Sequence, residues 1–132
     1  MSPRPAKTEP RAEALTSEEK ALLAREALLD KRALEPVLLD MREVTVITDF
    51  FLICSGRSNV HIRALSEAVL DALGEAGFRP YGVEGKAEAN WVLLDFGDLI
   101  VHIFSEENRE FYSLERLWSD AVAIPETAPT EA

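Results

Sequence analysis

Residues 90–104 read NWVLLDFGDLIVHIF, and this stretch decides the architecture that the sequence predicts. Two apolar runs flank the polar segment DFGD, a pattern typical of two strands joined by a tight turn. A two-residue turn at Gly97–Asp98 places glycine where a positive φ is needed. The resulting register puts six apolar side chains on one face of the hairpin, which we expect to be core: Val92, Leu94, Phe96, Leu99, Val101 and Ile103.

The opposite face of the same hairpin is mixed in character. It combines large apolar groups with one carboxylate and one imidazole: Trp91, Leu93, Asp95, Ile100, His102 and Phe104. Such a face is either covered incompletely by a helix or kept for a partner. Trp91 is a candidate anchor for a basic partner, because aromatic anchors supply much of the energy of an interface and charges steer association. The alternative for Trp91 is burial in the core.

The segments before the hairpin begin with a helix and two strands. Thr16 and Glu19 have the spacing of a capping box, so we expect a helix from there to about Leu34, stopped by the proline that follows. The runs VLLDM (37–41) and FFLICS (50–55) predict the first two strands, with a turn region between them.

The GRSN motif marks a change from strand to helix periodicity. Ser58 or Asn59 can cap a helix at this point. We expect the helix to end at Gly77, with Leu73 and Phe78 in the apolar contact of a Schellman ending. Four apolar residues share the inner face of this helix: Ile62, Leu65, Val69 and Leu73.

The remaining segments complete the predicted fold. RPYGVEG (79–85) predicts a third strand, the hairpin supplies two more, and Ser105 begins a last helix. The order of elements predicts an α/β (α+β) fold with a mixed five-stranded sheet packed with helices. One domain is expected at 16–124, between a disordered N-terminal tail (1–15) and a flexible C-terminal tail (125–132). The inner side of the last helix is expected to carry five residues: Phe111, Leu114, Leu117, Trp118 and Ala121.

The composition is typical of a soluble globular protein with one domain. The chain has 132 residues, of which 47% are hydrophobic and 29% are charged. No apolar stretch approaches the roughly 18 residues of a membrane span, and the start of the chain lacks the apolar segment of a secretory signal. A single cysteine, Cys54, excludes an internal disulfide and fits a reducing compartment. We therefore expect a cytoplasmic protein that does not bind membranes.

The net charge is −10, and most of the acidity belongs to the predicted folded part. Residues 1–35 carry seven acids and seven bases, whereas residues 36–124 carry fifteen acids and seven bases. Because an acidic surface repels phosphates, little direct nucleic-acid binding is expected and a basic protein partner is favoured. The alternative is that the acidity serves only solubility.

Two groups of residues are candidates for chemistry, and each has a structural alternative. Asp95 and Asp98 could bind a metal, or act in acid–base chemistry with His102. Aspartate is also favoured in turns for backbone reasons, and a buried histidine is commonly structural with its nitrogens hydrogen-bonded. GRSN with Arg57 could bind phosphate at a helix start. It lacks both common phosphate-binding fingerprints, and Ser58 can simply cap the helix. We predict no catalytic residue, no metal site and no cofactor.

Taken together, three segments resemble the ribosomal silencing factor family, also called Iojap-like proteins. They are TDFFLICSGRSNVHIRAL, YGVEG and NWVLLDFGDLIVHIFSEENREFYSLERLW. The combination of GRSN-x-H, EG-x(5)-W, LD-x-GD-x-x-VH and FY-x-LE-x-LW is specific, and the matches run in order from about Val37 to Ala121. The resemblance implies a binding protein and not an enzyme, with a fold like that of nucleotidyltransferases but without their catalytic acids.

The resemblance also implies a partner and a mode of action. Family members dock on the large ribosomal subunit through its fourteenth protein, block joining of the small subunit and repress translation under nutrient limitation. They are often homodimers when free of the ribosome. Carried onto the matching positions, the resemblance implies seven partner-binding residues: Trp91, Asp95, Asp98, Tyr112, Glu84, Glu88 and Glu115.

Two other classes of function stay open on the residues alone. A nucleotide-binding, transferase-like protein would hold a phosphate at GRSN and would bind nucleotides and divalent metals. A generic homodimeric adaptor would bury Trp91 between identical chains and would not bind ribosomes. A dimer that hides the docking face could also be the resting form of a silencing factor.

Overall fold

The computed structural model of the protein describes residues 15–107 and 122–124, apart from the side chains of 89, 122 and 123. The two predicted tails lie outside the described residues except for Leu15, and so does the predicted last helix beyond Glu107. Two α-helices and six strands are the main elements of the described part, with a one-turn 3-10 helix (Ala87–Ala89) between the third and fourth strands: α1 (Ser17–Asp30), β1 (Leu34–Asp40), β2 (Phe50–Gly56), α2 (Asn59–Glu75), β3 (Gly82–Lys86), β4 (Trp91–Asp95), β5 (Leu99–Ser105) and β6 (Val122–Ile124).

All six strands form one sheet in the order β3-β4-β5-β2-β1-β6. β2 and β5 run parallel, while the other neighbouring strands are antiparallel. The predicted α/β fold with a mixed sheet is confirmed, and the five predicted strands are all present. The short strand β6, which pairs with β1, was not predicted. Three residues are too few for an alternating pattern to be recognised in the sequence.

The β4–β5 hairpin has the predicted register. Leu94 pairs with Val101 and Val92 pairs with Ile103. The Phe96 N–H donates to the Leu99 carbonyl oxygen at 2.8 Å, which closes the turn. All six side chains of the predicted core face are at most 5% exposed.

Both helices pack on this apolar face of the sheet. From α1 the core receives Ala21, Ala24 and Leu28. The buried side of α2 consists of the four predicted residues Ile62, Leu65, Val69 and Leu73. Full burial of each of the large aliphatic side chains contributes roughly 1.5–3 kcal/mol, so this one layer dominates the stability of the fold. Neither of these two helices is long and apolar enough to cross a membrane.

Helix α1 begins as predicted and ends earlier than predicted. The Glu19 N–H donates to Thr16 Oγ1 at 3.0 Å and the Thr16 N–H donates to Glu19 Oε1 at 2.9 Å, which completes the capping box. The predicted end at Leu34 is wrong, because the helix stops at Asp30 and Arg32 adopts a φ of +62°. The Arg32 and Ala33 N–H groups then donate to carbonyl oxygens of the last helical turn, as in a Schellman ending.

Helix α2 has both predicted ends. Ser58 is the N-cap, and its Oγ accepts from the His61 N–H at 3.1 Å. At the other end, the Phe78 N–H donates to the Leu73 carbonyl oxygen at 2.8 Å and the Gly77 N–H donates to that of Gly74 at 3.0 Å. These are the two hydrogen bonds of the predicted Schellman ending.

Candidate functional site

The sheet face opposite α1 and α2 holds a second apolar cluster. Its buried members come from the central strands and the segment after β1, and neither helix contributes a residue to it. Trp91 and Ile100 are partly buried against its margin. The mixed face predicted for the hairpin therefore exists, separate from the helix-covered core. The buried members of this second cluster are Leu39, Met41, Phe51, Ile53 and Phe104.

His102 lies among these apolar side chains and is only 8% exposed. Its ring stands edge-on to Phe51, with 5.0 Å between centroids, and is stacked with Phe104 at 6.1 Å. Neither Nδ1 nor Nε2 has a hydrogen-bond partner, and burial lowers the pKa of His102 to about 4. The imidazole is thus structural and neutral, but the expectation that its nitrogens are hydrogen-bonded is wrong.

Trp91 begins β4 and lies between the two neighbouring strands. It pairs with Lys86 of β3 and with Phe104 of β5. Its side chain is partly buried, and its indole N–H donates no hydrogen bond to any residue that the structure describes. The ring therefore combines a fixed apolar position with a polar edge that is not hydrogen-bonded to any described residue, which suits an interface anchor.

Asp95 and Asp98 are close in sequence but differ in their surroundings. Asp95 is partly buried at the end of β4, and its Oδ1 accepts from the Gly97 N–H at 2.8 Å. Asp98 accepts from Lys20 Nζ of α1 at 2.9 and 3.1 Å. That ammonium also lies 4.1 Å from the centroid of the Phe78 ring. The two carboxylates therefore do not form a paired site.

The described side chains do not form a metal-binding cluster. Among the residues that the structure describes, no group of three or more His, Cys, Asp or Glu side chains is placed to hold an ion. The Asp95 carboxylate and the His102 imidazole are likewise not hydrogen-bonded to each other, because both imidazole nitrogens are without a partner, so these two side chains do not form an acid–base pair.

The two described glutamates of the predicted site both precede Trp91 in the chain. Glu84 is exposed on β3 opposite Leu93. Glu88 lies in the one-turn 3-10 helix Ala87–Ala89 and forms an ion pair with Arg63 of α2. A backbone hydrogen bond and the Arg63 guanidinium lower the pKa of Glu88. The remaining predicted contacts, Tyr112 and Glu115, lie outside the described residues.

One exposed aromatic residue was missed by the sequence analysis. Tyr81 is 80% exposed just before β3, beside the β4–β5 turn, where its N–H donates to the Asp95 carbonyl oxygen at 2.7 Å. Its ring covers Gly97, so that a Cβ there would lie 2.7 Å from Tyr81 Cε2. In the sequence, only its position just before the edge strand could have indicated its exposure.

The GRSN segment is engaged in contacts within the chain. His61 Nδ1 accepts from the Arg57 N–H at 2.9 Å, and His61 Nε2 lies 2.8 Å from the Lys31 carbonyl oxygen. The second distance requires the Nε2–H tautomer, because only a donor can bond to a carbonyl. Together with the Ser58 cap, these bonds give the motif a structural role in joining α2 to the end of α1.

Known proteins are similar to this chain in sequence and in fold. A family model described as "Ribosomal silencing factor during starvation" matches residues 14–132. The chain is 41% identical to the ribosomal silencing factor of Bacillus subtilis over 99 residues, which are 75% of this chain and 84% of that protein. It is 38% identical to that of Halalkalibacterium halodurans over 110 residues, which are 83% of this chain and 94% of that protein.

The structural comparison agrees with the sequence comparison. The fold is similar to the X-ray crystal structure of a protein from Chromobacterium violaceum, with a TM-score of 0.77 and 34% identity, over 80% of this chain and 88% of that one. The mixed sheet with its two described helices on one face therefore defines a class of small α/β proteins to which these relatives also belong. Within that class, the chain belongs to the ribosomal silencing factor family, which confirms the predicted resemblance.

Proposed function

We propose that this protein represses translation by binding the large ribosomal subunit and sterically blocking the joining of the small subunit when nutrients are limited. In this proposal it contacts the basic fourteenth protein of the large subunit and performs no chemistry. The observation that carries the proposal is Trp91, an indole fixed at the margin of the second apolar cluster with its N–H unused within the described residues. Family membership supports the ribosome as the target.

The proposed contact surface lies on the β3–β4 edge of the sheet. Alternation along β4 places Trp91, Leu93 and Asp95 on one side, with the first and last about 13 Å apart at 3.3 Å per residue. Glu84 pairs directly with Leu93 and so faces the same side. A lysine or arginine of the partner could lay its aliphatic stem along the indole and Leu93 and reach a carboxylate with its charged end.

The other predicted contacts stay part of the proposal with different support. Glu88 has an exposed side chain, 62% accessible, although it is paired with Arg63. The Asp98 side chain is 33% accessible and is paired with Lys20, so it would meet a partner only through that exposed part. Tyr112 and Glu115 are proposed on the resemblance alone.

The overall charge supports a basic partner as well. A net charge of −10 attracts basic proteins over distances of about 10 Å at ordinary salt and raises their association rate. In the proposal the protein acts in the cytoplasm through one domain at 16–124. Its effect requires only affinity and bulk, and no chemistry.

Substitution of Trp91 tests the proposed surface. Trp91→Ala is expected to weaken binding to purified large ribosomal subunits about 30-fold, because truncation of an aromatic anchor costs roughly 2 kcal/mol or more. Co-sedimentation at several protein concentrations gives the affinity, and light scattering on addition of small subunits reports joining. The matched control is Val60→Ala, which truncates a 70% exposed apolar side chain on α2, one of the two described helices on the other face of the sheet.

The proposal predicts the same order of the three proteins in the binding assay and in the subunit-joining assay. Wild type and Val60→Ala should bind alike and inhibit joining, whereas Trp91→Ala should do neither at the same concentration. Equal binding by all three proteins would remove Trp91 from the contact surface. Absence of binding by wild type at every salt concentration would overturn the proposed function itself.

A further inference from the structure

We propose that Gly85 is a positioning residue for Trp91: its bare backbone is the surface on which the indole rests, and this contact holds the ring ready for the partner. The inference rests on the proposed function of the Trp91 surface. It also accounts for the EG-x(5)-W motif, whose glycine lies six residues before the tryptophan and is not itself a proposed contact.

The contact between the two residues leaves no room for a side chain. A Cβ placed on Gly85 would lie 2.5 Å from Cε3 and 2.9 Å from Cζ3 of the Trp91 ring. It would also lie 2.4 Å from the Trp91 carbonyl oxygen. Because carbon and oxygen atoms in van der Waals contact are about 3.5 Å apart, any side chain at this position must displace the indole and its backbone.

The backbone conformation of Gly85 adds to this requirement. Its φ is +77°, a left-handed conformation that costs other residues of order 1 kcal/mol or more. Gly85 pairs with Val92, the neighbour of the tryptophan, so the conformation occurs within the strand pair and directly beside the ring. Glycine is therefore required twice here, for its φ and for the space that it leaves.

The other side of Trp91 is fixed by the loop that leads into it. Asn90 has a φ of +65°, and its N–H donates to the Ala87 carbonyl oxygen at 2.8 Å. The Ser105 N–H donates to the Asn90 carbonyl oxygen at 3.0 Å, which ties the loop to the end of β5. With the backbone held at Asn90, the contact with Gly85 determines where the ring lies.

The same strand supplies a matched control. Gly82 also belongs to β3, has no heavy atom within 4 Å of the Cβ position and does not have a positive φ. An alanine at Gly82 adds the same methyl group to the same strand without touching the tryptophan. Any difference between the two alanine variants therefore reports the contact with Trp91 and the strain at Gly85, and not the loss of glycine as such.

The experiment is a double-mutant cycle on the affinity for purified large ribosomal subunits. Gly85→Ala is expected to weaken binding about tenfold, and Gly82→Ala less than about twofold. In a Trp91→Ala background, where the ring is already absent, adding Gly85→Ala should change the affinity less than about twofold. A residue that acted only on the general stability of the domain would give the same factor in both backgrounds.

Spectroscopy on the free protein supplies a second readout. The chain has two tryptophans, so a Trp118→Phe background isolates the emission of Trp91. Gly85→Ala should shift that emission and Gly82→Ala should leave it unchanged. If Gly85→Ala does not fold, the wild type itself is tested by NMR, where nuclear Overhauser contacts between the Gly85 α-protons and the indole Hε3 and Hζ3 are expected.

The possible outcomes separate this inference from the proposed function. If Trp91→Ala weakens binding and Gly85→Ala does not, the positioning role is overturned and the proposed surface stands. The role is equally overturned by an undiminished effect of Gly85→Ala in the Trp91→Ala background, or by missing Overhauser contacts. If Trp91→Ala itself binds like wild type, the proposed surface fails, whereas the emission and NMR results still decide whether Gly85 positions the ring.

Discussion

At the scale of single residues, His102 is the most unusual group in the described structure. A buried imidazole without a hydrogen bond loses its interactions with water, and the contacts of its ring with Phe51 and Phe104 do not replace them. Such a group is tolerated in its neutral form and resists protonation. His102 should therefore make the stability of the domain depend on pH.

The sign of that dependence follows from the two pKa values. In the unfolded chain His102 titrates near 6.5, and in the folded protein burial lowers its pKa to about 4. As the pH falls, the unfolded state binds the proton first, so the free energy of unfolding decreases between these values and is unaffected above them. Between about pH 7.5 and pH 5 the loss is about 2 kcal/mol.

His102→Phe is expected to remove this pH dependence, because phenylalanine has a similar shape and no proton to bind. Urea unfolding of both proteins at about pH 7.5 and pH 5 measures the free energies. Subtracting the two pH dependences cancels the contributions of all groups that the two proteins have in common. An identical decrease in both proteins would show that His102 does not titrate as its burial requires.

The sequence reveals the position of a side chain more readily than its partners. Alternation along the hairpin was sufficient to separate Trp91 and Asp95 from the core face, because the register follows from one glycine-containing turn. It could not show that Asp98 is paired with Lys20, since those residues meet only after α1 has packed on the sheet. The lack of hydrogen-bond partners for His102 could not be predicted either, because its surroundings include Phe51, which is distant in the sequence.

At the scale of elements, Lys20 joins α1 to the β4–β5 turn. Its side chain is only 9% exposed, and it contacts both the Asp98 carboxylate and the Phe78 ring, at the end of α2. Three elements that are distant in the sequence therefore meet at one ammonium group. A partly buried ion pair of this kind is costly to break from one side, because the remaining charge loses its partner.

Lys20→Met should lower the free energy of unfolding by about 1–2 kcal/mol, since it keeps an apolar stem and removes the charge. Asp98→Asn should have a similar effect, and the double variant should lose less than the sum of the two. Urea unfolding measures all three proteins. Lys86→Met, on the exposed edge strand, is the control and should leave the unfolding midpoint unchanged. Strict additivity of the two substitutions would contradict the coupling.

The ends of the helices show what the sequence reveals about elements. The capping box of α1 and the Schellman ending of α2 have local signals, and both are present as predicted. The end of α1 has no such signal, because an arginine, Arg32, takes the left-handed position that glycine usually occupies. Pro36, expected to stop the helix, instead lies in β1, where the pairing with β2 is irregular between Leu34 and Val37.

At the scale of the whole molecule, charge should govern the rate at which a basic partner is met. Raising the ionic strength from about 0.1 M to about 0.5 M is expected to lower the association rate constant with large subunits about tenfold, because salt screens the attraction. Stopped-flow or surface-based kinetics at several salt concentrations measures the rate. Glu84→Gln should reduce the slope, whereas Trp91→Ala should leave it unchanged and act on dissociation. A salt-independent rate would contradict steering by the acidic surface.

The fold class followed from the sequence because each local signal agreed with the others. Two helices with one apolar side, a hairpin with one apolar face and continuously apolar strands permit few arrangements other than a sheet covered by helices. The strand order β3-β4-β5-β2-β1-β6, in contrast, could not be predicted from these local signals. No local pattern specifies that β2 lies beside β5, because that pairing depends on contacts between distant parts of the chain.

The parallel pairing of β2 with β5 also has a consequence for how the chain acquires its structure. Phe50 is matched with Leu99 and Gly56 with Ser105, so the middle of the sheet cannot close until the whole intervening segment has been synthesised. During translation the apolar strand β2 therefore stays unpaired on its β5 side while α2 and the β4–β5 hairpin are synthesised. Closure of this pair is therefore expected to be the slow folding step, and chains truncated before Leu99 are expected to aggregate.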